Sequence, residues 1–106
     1  MARMARPIRA ATLRSAAAVI KCLGHPLRLR LLEAMETGER TVSALQGFSG
    51  AGQAAVSEQL GILRGQGVVE ARREGPFVHY RITEPKVRRI LACIRDCEAA
   101  PAGRTR

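Results

Sequence analysis

Three cysteines, Cys22, Cys93 and Cys97, carry the softest and most oxidisable atoms of the chain. Cys93 and Cys97 are four residues apart, which places them on one side of a helix with Cβ atoms about 6 Å apart. Three thiolates, with no histidine on the segment that holds two of them, suit a soft, thiophilic ion. Trivalent arsenic or antimony takes three sulfurs in a pyramid. Zinc or cadmium wants a fourth ligand, and none is evident. The competing chemistry is oxidation. A disulfide between Cys93 and Cys97 strains an intact helix, so Cys22 is the natural partner of either, provided the Cα atoms come within about 7 Å. The third reading is plain packing, because free cysteine is among the most buried residue types.

Catalysis finds little support. His25 follows Cys22 by three residues, but no acid stands near to orient it and no substrate pocket is implied. Gly47, Gly50 and Gly52 form a glycine-rich stretch. No strand precedes it and no Gly-Lys-Ser/Thr follows, so a turn between helices is expected rather than a phosphate loop.

Charge points to a partner. The chain has 106 residues, 18 Lys and Arg against 9 Asp and Glu, and a formal charge of +9. Such an excess on one small domain favours a polyanion, and arginine in particular suits phosphate and base edges. Aromatic residues make up 3%, so the core must be aliphatic. Single-stranded RNA is disfavoured, since stacking needs exposed rings; Phe77 and Tyr80 are expected in a hairpin core. No apolar run approaches the roughly 18–20 residues of a membrane span. No secretory leader is visible, so a cytoplasmic, double-stranded DNA partner is the expectation.

The elements that must position these residues follow from periodicity. Residues 1–9 read as a basic flexible tail, 10–98 as one domain, and 99–106 as a second flexible tail. A first helix spans Ala10 to Leu23, with Leu13, Ala16, Ala17, Ile20 and Leu23 in one apolar stripe. His25 and Pro26 open a second helix, capped by His25 and ended by Gly38, with Leu27, Leu31, Ala34 and Met35 inward. Thr41 caps a third, short helix with Val42 and Leu45 inward. The fourth helix, Gln53 to Gly65, buries Val56, Leu60 and Leu63 and turns Gln53, Ala54, Ser57, Glu58 and Gly61 outward. Small and amide side chains on an exposed face suit close approach to base edges in a major groove. Helix, glycine turn and helix make a helix-turn-helix.

Two β runs follow, Val68 to Arg73 and Phe77 to Ile82, joined by Glu74-Gly75-Pro76. Arg72 and Arg73 are expected near the hairpin tip and His79 on its outer face, all suited to phosphate. Thr83-Glu84-Pro85 opens a last helix to Glu98, with Val87, Ile90, Leu91 and Ile94 in a stripe. Such a terminal helix is expected to pack against its own copy. The fold class is mainly α with a two-stranded β wing, in the order α-α-α-α-β-β-α.

GHPLRLRLL (24–32), QAAVSEQLGILRGQGVV (53–69) and RREGPFVHYRI (72–82), in this order, resemble the ArsR/SmtB family of bacterial winged-helix repressors. The resemblance covers about residues 13–98. It implies a homodimer, through the first and last helices, that sits on operator DNA and leaves it when a metal, metalloid or oxidant acts. The implied DNA-binding residues are Gln53, Ala54, Ser57, Gln59 and Arg64 on the recognition helix, and Arg72, Arg73, His79 and Arg81 on the wing. No cofactor is required for DNA binding.

The family's Cys-x-Cys metal motif falls near Val42, Ser43 and Ala44, where no ligand stands. Its zinc site on the last helix needs His, and this helix has none. Glu58 stands where the family often has Arg or a neutral polar residue. Because the family fold packs the first helix against the last, Cys22 is implied to approach Cys93 and Cys97. The expected inducer is As(III), Sb(III) or another thiophilic metal at Cys22, Cys93 and Cys97. The alternative is a redox or persulfide switch through a Cys22 to Cys93 or Cys97 disulfide. The family's persulfide sensors place one Cys on the second helix, and this chain has none there.

Overall fold

The computed structural model describes residues 4–99. The elements run α1 (Ala10–Leu23), α2 (Pro26–Ala34), β1 (Arg40–Thr41), α3 (Val42–Ser49), α4 (Gln53–Gly65), β2 (Val69–Glu74), β3 (Phe77–Ile82) and α5 (Pro85–Ala99). This is a winged helix-turn-helix. The strands form one antiparallel sheet in the order β1-β3-β2. β2 and β3 are a hairpin with Ala71 opposite Tyr80 and Glu74 opposite Phe77. β1, which the sequence reading lacks, adds Arg40 opposite Tyr80 and Thr41 opposite His79.

Local chemistry sets the boundaries. His25 is extended at the head of α2, and its Nδ1 accepts the Leu27 N–H at 3.2 Å, while Pro26 occupies the first turn without needing a donor. Thr41 Oγ1 accepts the Ala44 N–H at 3.2 Å and starts α3. Gly50 ends α3 with φ 76°, a left-handed conformation that costs glycine nothing. α2 stops at Ala34, four residues before Gly38, with Met35 as its cap.

Leu31, Leu32, Met35, Leu45, Leu60 and Leu63 are the largest fully buried side chains. Burying each such side chain contributes roughly 1.5–3 kcal/mol relative to leaving it in water. α2 lies at the centre and packs on α1, α3, α4 and α5. Leu32 is buried on the flank opposite Leu27 for that reason, outside the stripe expected from periodicity.

The outer helices differ. On α1 only Cys22 and Leu23 are buried. The remaining stripe faces solvent, with Leu13 52% and Ile20 63% exposed. On α5, Val87 and Leu91 enter the core while Ile94 is 44% exposed. A shallow groove between α2 and α5, floored by Leu29, Leu91 and Ile94, continues this apolar surface. No helix among the described residues is long and apolar enough to cross a membrane. Residues 1–3 of the N-terminal tail and 100–106 of the C-terminal tail lie outside the described residues.

Candidate nucleic-acid interface

The interface is built on α4. Val56, Leu60 and Leu63 are pinned in the core, and this fixes the rotation of the helix. Ala54, Ser57, Glu58 and Gly61 are consequently exposed, as the spacing requires, and Gln53, on the core side by spacing, is exposed because it opens the helix. Arg64 is exposed in the last turn. Among the described residues it has no acidic partner.

Gln59 departs from the expected set. At 100° per residue it falls roughly 140–160° around the helix from Ala54 and Ser57. It is half-buried, and its Oε1 accepts a hydrogen bond from Arg28 Nε at 2.6 Å. Its side chain faces α2 and not the outward surface.

The wing also differs from expectation. Arg72 is not free: its Nε and Nη2 donate to the two carboxylate oxygens of Glu39 at 3.0 and 2.7 Å, and Nη1 lies 3.4 Å from Glu74. This bidentate pairing holds the Glu39 carboxyl below the usual carboxylate range and the Arg72 guanidinium above its own. Arg81 is paired with Glu70 across the hairpin. His79 is half-buried with Nε2 3.4 Å from Glu74. Arg73 is exposed and, among the described residues, has no acidic partner. The hairpin turn itself presents Gly75, Pro76 and Phe77. Phe77 is 59% exposed, not part of a hairpin core, whereas Tyr80 packs against the core as expected.

A second clasp lies just before β1. Arg95 on α5 donates through Nη1 and Nη2 to Glu36 at 2.9 and 2.7 Å, and Arg88 Nε donates to the Glu36 carbonyl at 3.0 Å. The Arg95 hydrogen bonds hold the Glu36 carboxyl below its ordinary value. Thus a segment of four residues, Glu36 to Glu39, is tied to α5 at one end and to the wing at the other. Neither acid carried a signal in the sequence, because each partner is more than thirty residues away.

The thiols do not converge within one chain. Cys22 is buried in the core, and Cys93 and Cys97 are exposed on α5. Among the described residues no group of three His, Cys, Asp or Glu is placed to hold a metal ion. The three-sulfur site expected from the sequence is therefore not assembled in a single protomer. The physical reason is that α1 turns its Cys22 side inward and α5 turns its cysteine side outward.

Residues 25–71 match the family model described as "Bacterial regulatory protein, arsR family". The biofilm growth-associated repressor of Xylella fastidiosa is 41% identical over 73 residues, covering 69% of this chain and 64% of the relative, so the chain spans just under two thirds of that relative's length. Among solved structures, the transcriptional repressor BigR from Xylella fastidiosa superposes with a TM-score of 0.77 at 35% identity, covering 90% of this chain and 100% of that one. The homodimeric winged helix-turn-helix DNA-binding domain of Mb0332 from Mycobacterium bovis gives a TM-score of 0.73 at 36% identity and covers 91% of each chain. Segment order, fold and relatives agree: the chain belongs to the ArsR family of bacterial regulatory proteins.

Proposed function

We propose that the protein is a homodimeric transcriptional repressor that binds double-stranded operator DNA through α4 and the wing. One observation carries this reading. A helix pinned by three core side chains presents a small, exposed face at Gln53, Ala54, Ser57 and Gly61, beside arginines that no acid engages. That face lets a helix sit close to base edges. Gln53 and Ser57 read bases, and Arg64 and Arg73 hold phosphates. The unpartnered apolar strip on α1 and α5 meets a second copy, in line with the homodimeric relative. Two recognition helices then enter major grooves one helical turn apart, roughly 34–36 Å. The test is a gel shift with duplexes selected from a randomised pool, run at several salt concentrations. Specific complexes with steep salt dependence support the reading; equal affinity for every duplex sinks it.

The inducer in this reading is a thiol ligand or oxidant. Cys93 and Cys97 are exposed and one turn apart, which makes them a two-sulfur grip for As(III), Sb(III) or another soft metal. The third sulfur, Cys22, is buried in the same chain, so ligation or a Cys22 disulfide requires α1 and α5 to repack. That repacking would change the spacing of the recognition helices. Arsenite or a persulfide should release DNA from the wild type and not from a protein with all three cysteines changed to serine. Equal release from both would remove the thiols from the mechanism.

A further inference from the structure

Arg28 sits on α2, half-buried, with no acidic side chain in ion-pair range among the described residues. Its Nη1 donates to the carbonyl of Cys22 at 2.7 Å, and its Nε donates to Gln59 Oε1 at 2.6 Å. The first contact has a cause in the sequence. A carbonyl in the last turn of a helix looks four residues on for its N–H. Four residues after Cys22 is Pro26, which has no N–H to give. The neighbouring carbonyls are served locally, Lys21 by the Gly24 N–H at 3.2 Å and Leu23 by the His25 N–H at 2.8 Å. Cys22 is served by a guanidinium. The positive charge also lies at the negative end of the α1 dipole.

The second contact reaches the flank of α4, on the side away from Ser57 and Ala54. A guanidinium holds its donors in a rigid plane, so fixing one end aims the other. One side chain therefore fastens the end of α1 to the middle of α4. Resting on the DNA-binding reading above, we propose that Arg28 is a positioning residue. Through its two hydrogen bonds the end of α1, at Cys22, sets the placement of the recognition helix, and Gln59 is the receiving end of that link and not a base reader. A displacement of α1 is passed to α4 without any change on the outward face.

The test uses the full chain, with Arg28→Lys and Gln59→Ala singly and together, and with Arg28→Ala as the variant that removes the charge. Lysine keeps the charge but cannot span both acceptors. Binding to the duplex the wild type selects from a randomised pool is measured by fluorescence anisotropy at several salt concentrations. Both single variants should weaken binding by roughly tenfold or more, with no change in preferred base pairs. The salt slope should stay at the wild-type value, and the double variant should be no worse than the weaker single one. A slope lowered by about one in Arg28→Ala would make Arg28 a phosphate contact and overturn the proposal. Relaxed preference at one base pair in Gln59→Ala would restore Gln59 as a reader, with the same consequence.

A DNA-free readout separates this proposal from the reading it rests on. In amide NMR and hydrogen exchange, Gln59→Ala should perturb Cys22 and Leu23 on α1 as well as α4. If only α4 responds, the link is absent even where DNA binds. If both respond and the wild type selects no duplex, the link stands as a structural fact but its role in recognition is overturned together with the DNA reading.

Discussion

Gly61 and Arg72 carry opposite lessons about single residues. Gly61 lies mid-helix on the exposed face of α4, and a Cβ added there meets nothing within 4 Å. Glycine in that position costs roughly 0.5–1 kcal/mol relative to alanine, with no gain inside the protomer. Gly61→Ala should raise Tm by a few degrees in calorimetry while lowering operator affinity in the anisotropy assay. An unchanged affinity would mean that no DNA comes near this face. Arg72 and Arg73 are neighbours of identical chemistry, yet Arg72 is spent on Glu39 and Glu74. Arg73→Ala should therefore lower the salt slope of DNA binding by about one, and Arg72→Ala by much less. Equal losses in the two would show that DNA pulls Arg72 off its acids.

Elements were legible where one stretch of chain decides its own structure. The bounds of α1, α4 and β3 follow from periodicity, and the caps at His25 and Thr41 form as their residue types require. Features that need a distant partner were not legible. β1 is two residues with no alternation to announce it, and it exists because β3 offers an edge some forty residues later. The hydrogen bond from Arg28 to Gln59 is of this kind, since the two residues lie on different helices thirty-one positions apart. The Glu36–Glu39 segment is the same kind of feature, and its two clasps make a pH prediction. Arg95 holds the Glu36 carboxyl low and Arg72 holds the Glu39 carboxyl low. A carboxyl with a lowered folded pKa stabilises the fold above the ordinary carboxylate value, and that contribution fades as pH falls through the lowered one. In a carbon-detected NMR titration Glu36 and Glu39 should protonate below the ordinary carboxylate range. Loss of wing and α5 contacts to this segment should accompany that step. Titration of either acid within the ordinary carboxylate range would show its clasp to be open in solution.

At the scale of the whole molecule, the apolar surface that matters most is the one the protomer fails to cover. Leu13, Ile20 and Ile94 are each 44% exposed or more, on the two helices that flank the sequence. Ile20→Glu should shift the protein to a monomer in analytical ultracentrifugation and reduce operator affinity sharply, because one recognition helix alone loses the second half-site. A dimer that persists would place the interface elsewhere. The sheet raises a different hazard. Its order, β1-β3-β2, puts β3 inside and leaves β2 as the long outer strand. An unpaired strand edge is a template for another chain. Here that strand reads Val69-Glu-Ala-Arg-Arg-Glu74, with charges of both signs on four of six positions. Adding a strand to it would crowd these charged groups and strip water from them. The wing is thus guarded against fibril-like self-association by charges of which Glu70, Arg72 and Glu74 also fix its shape.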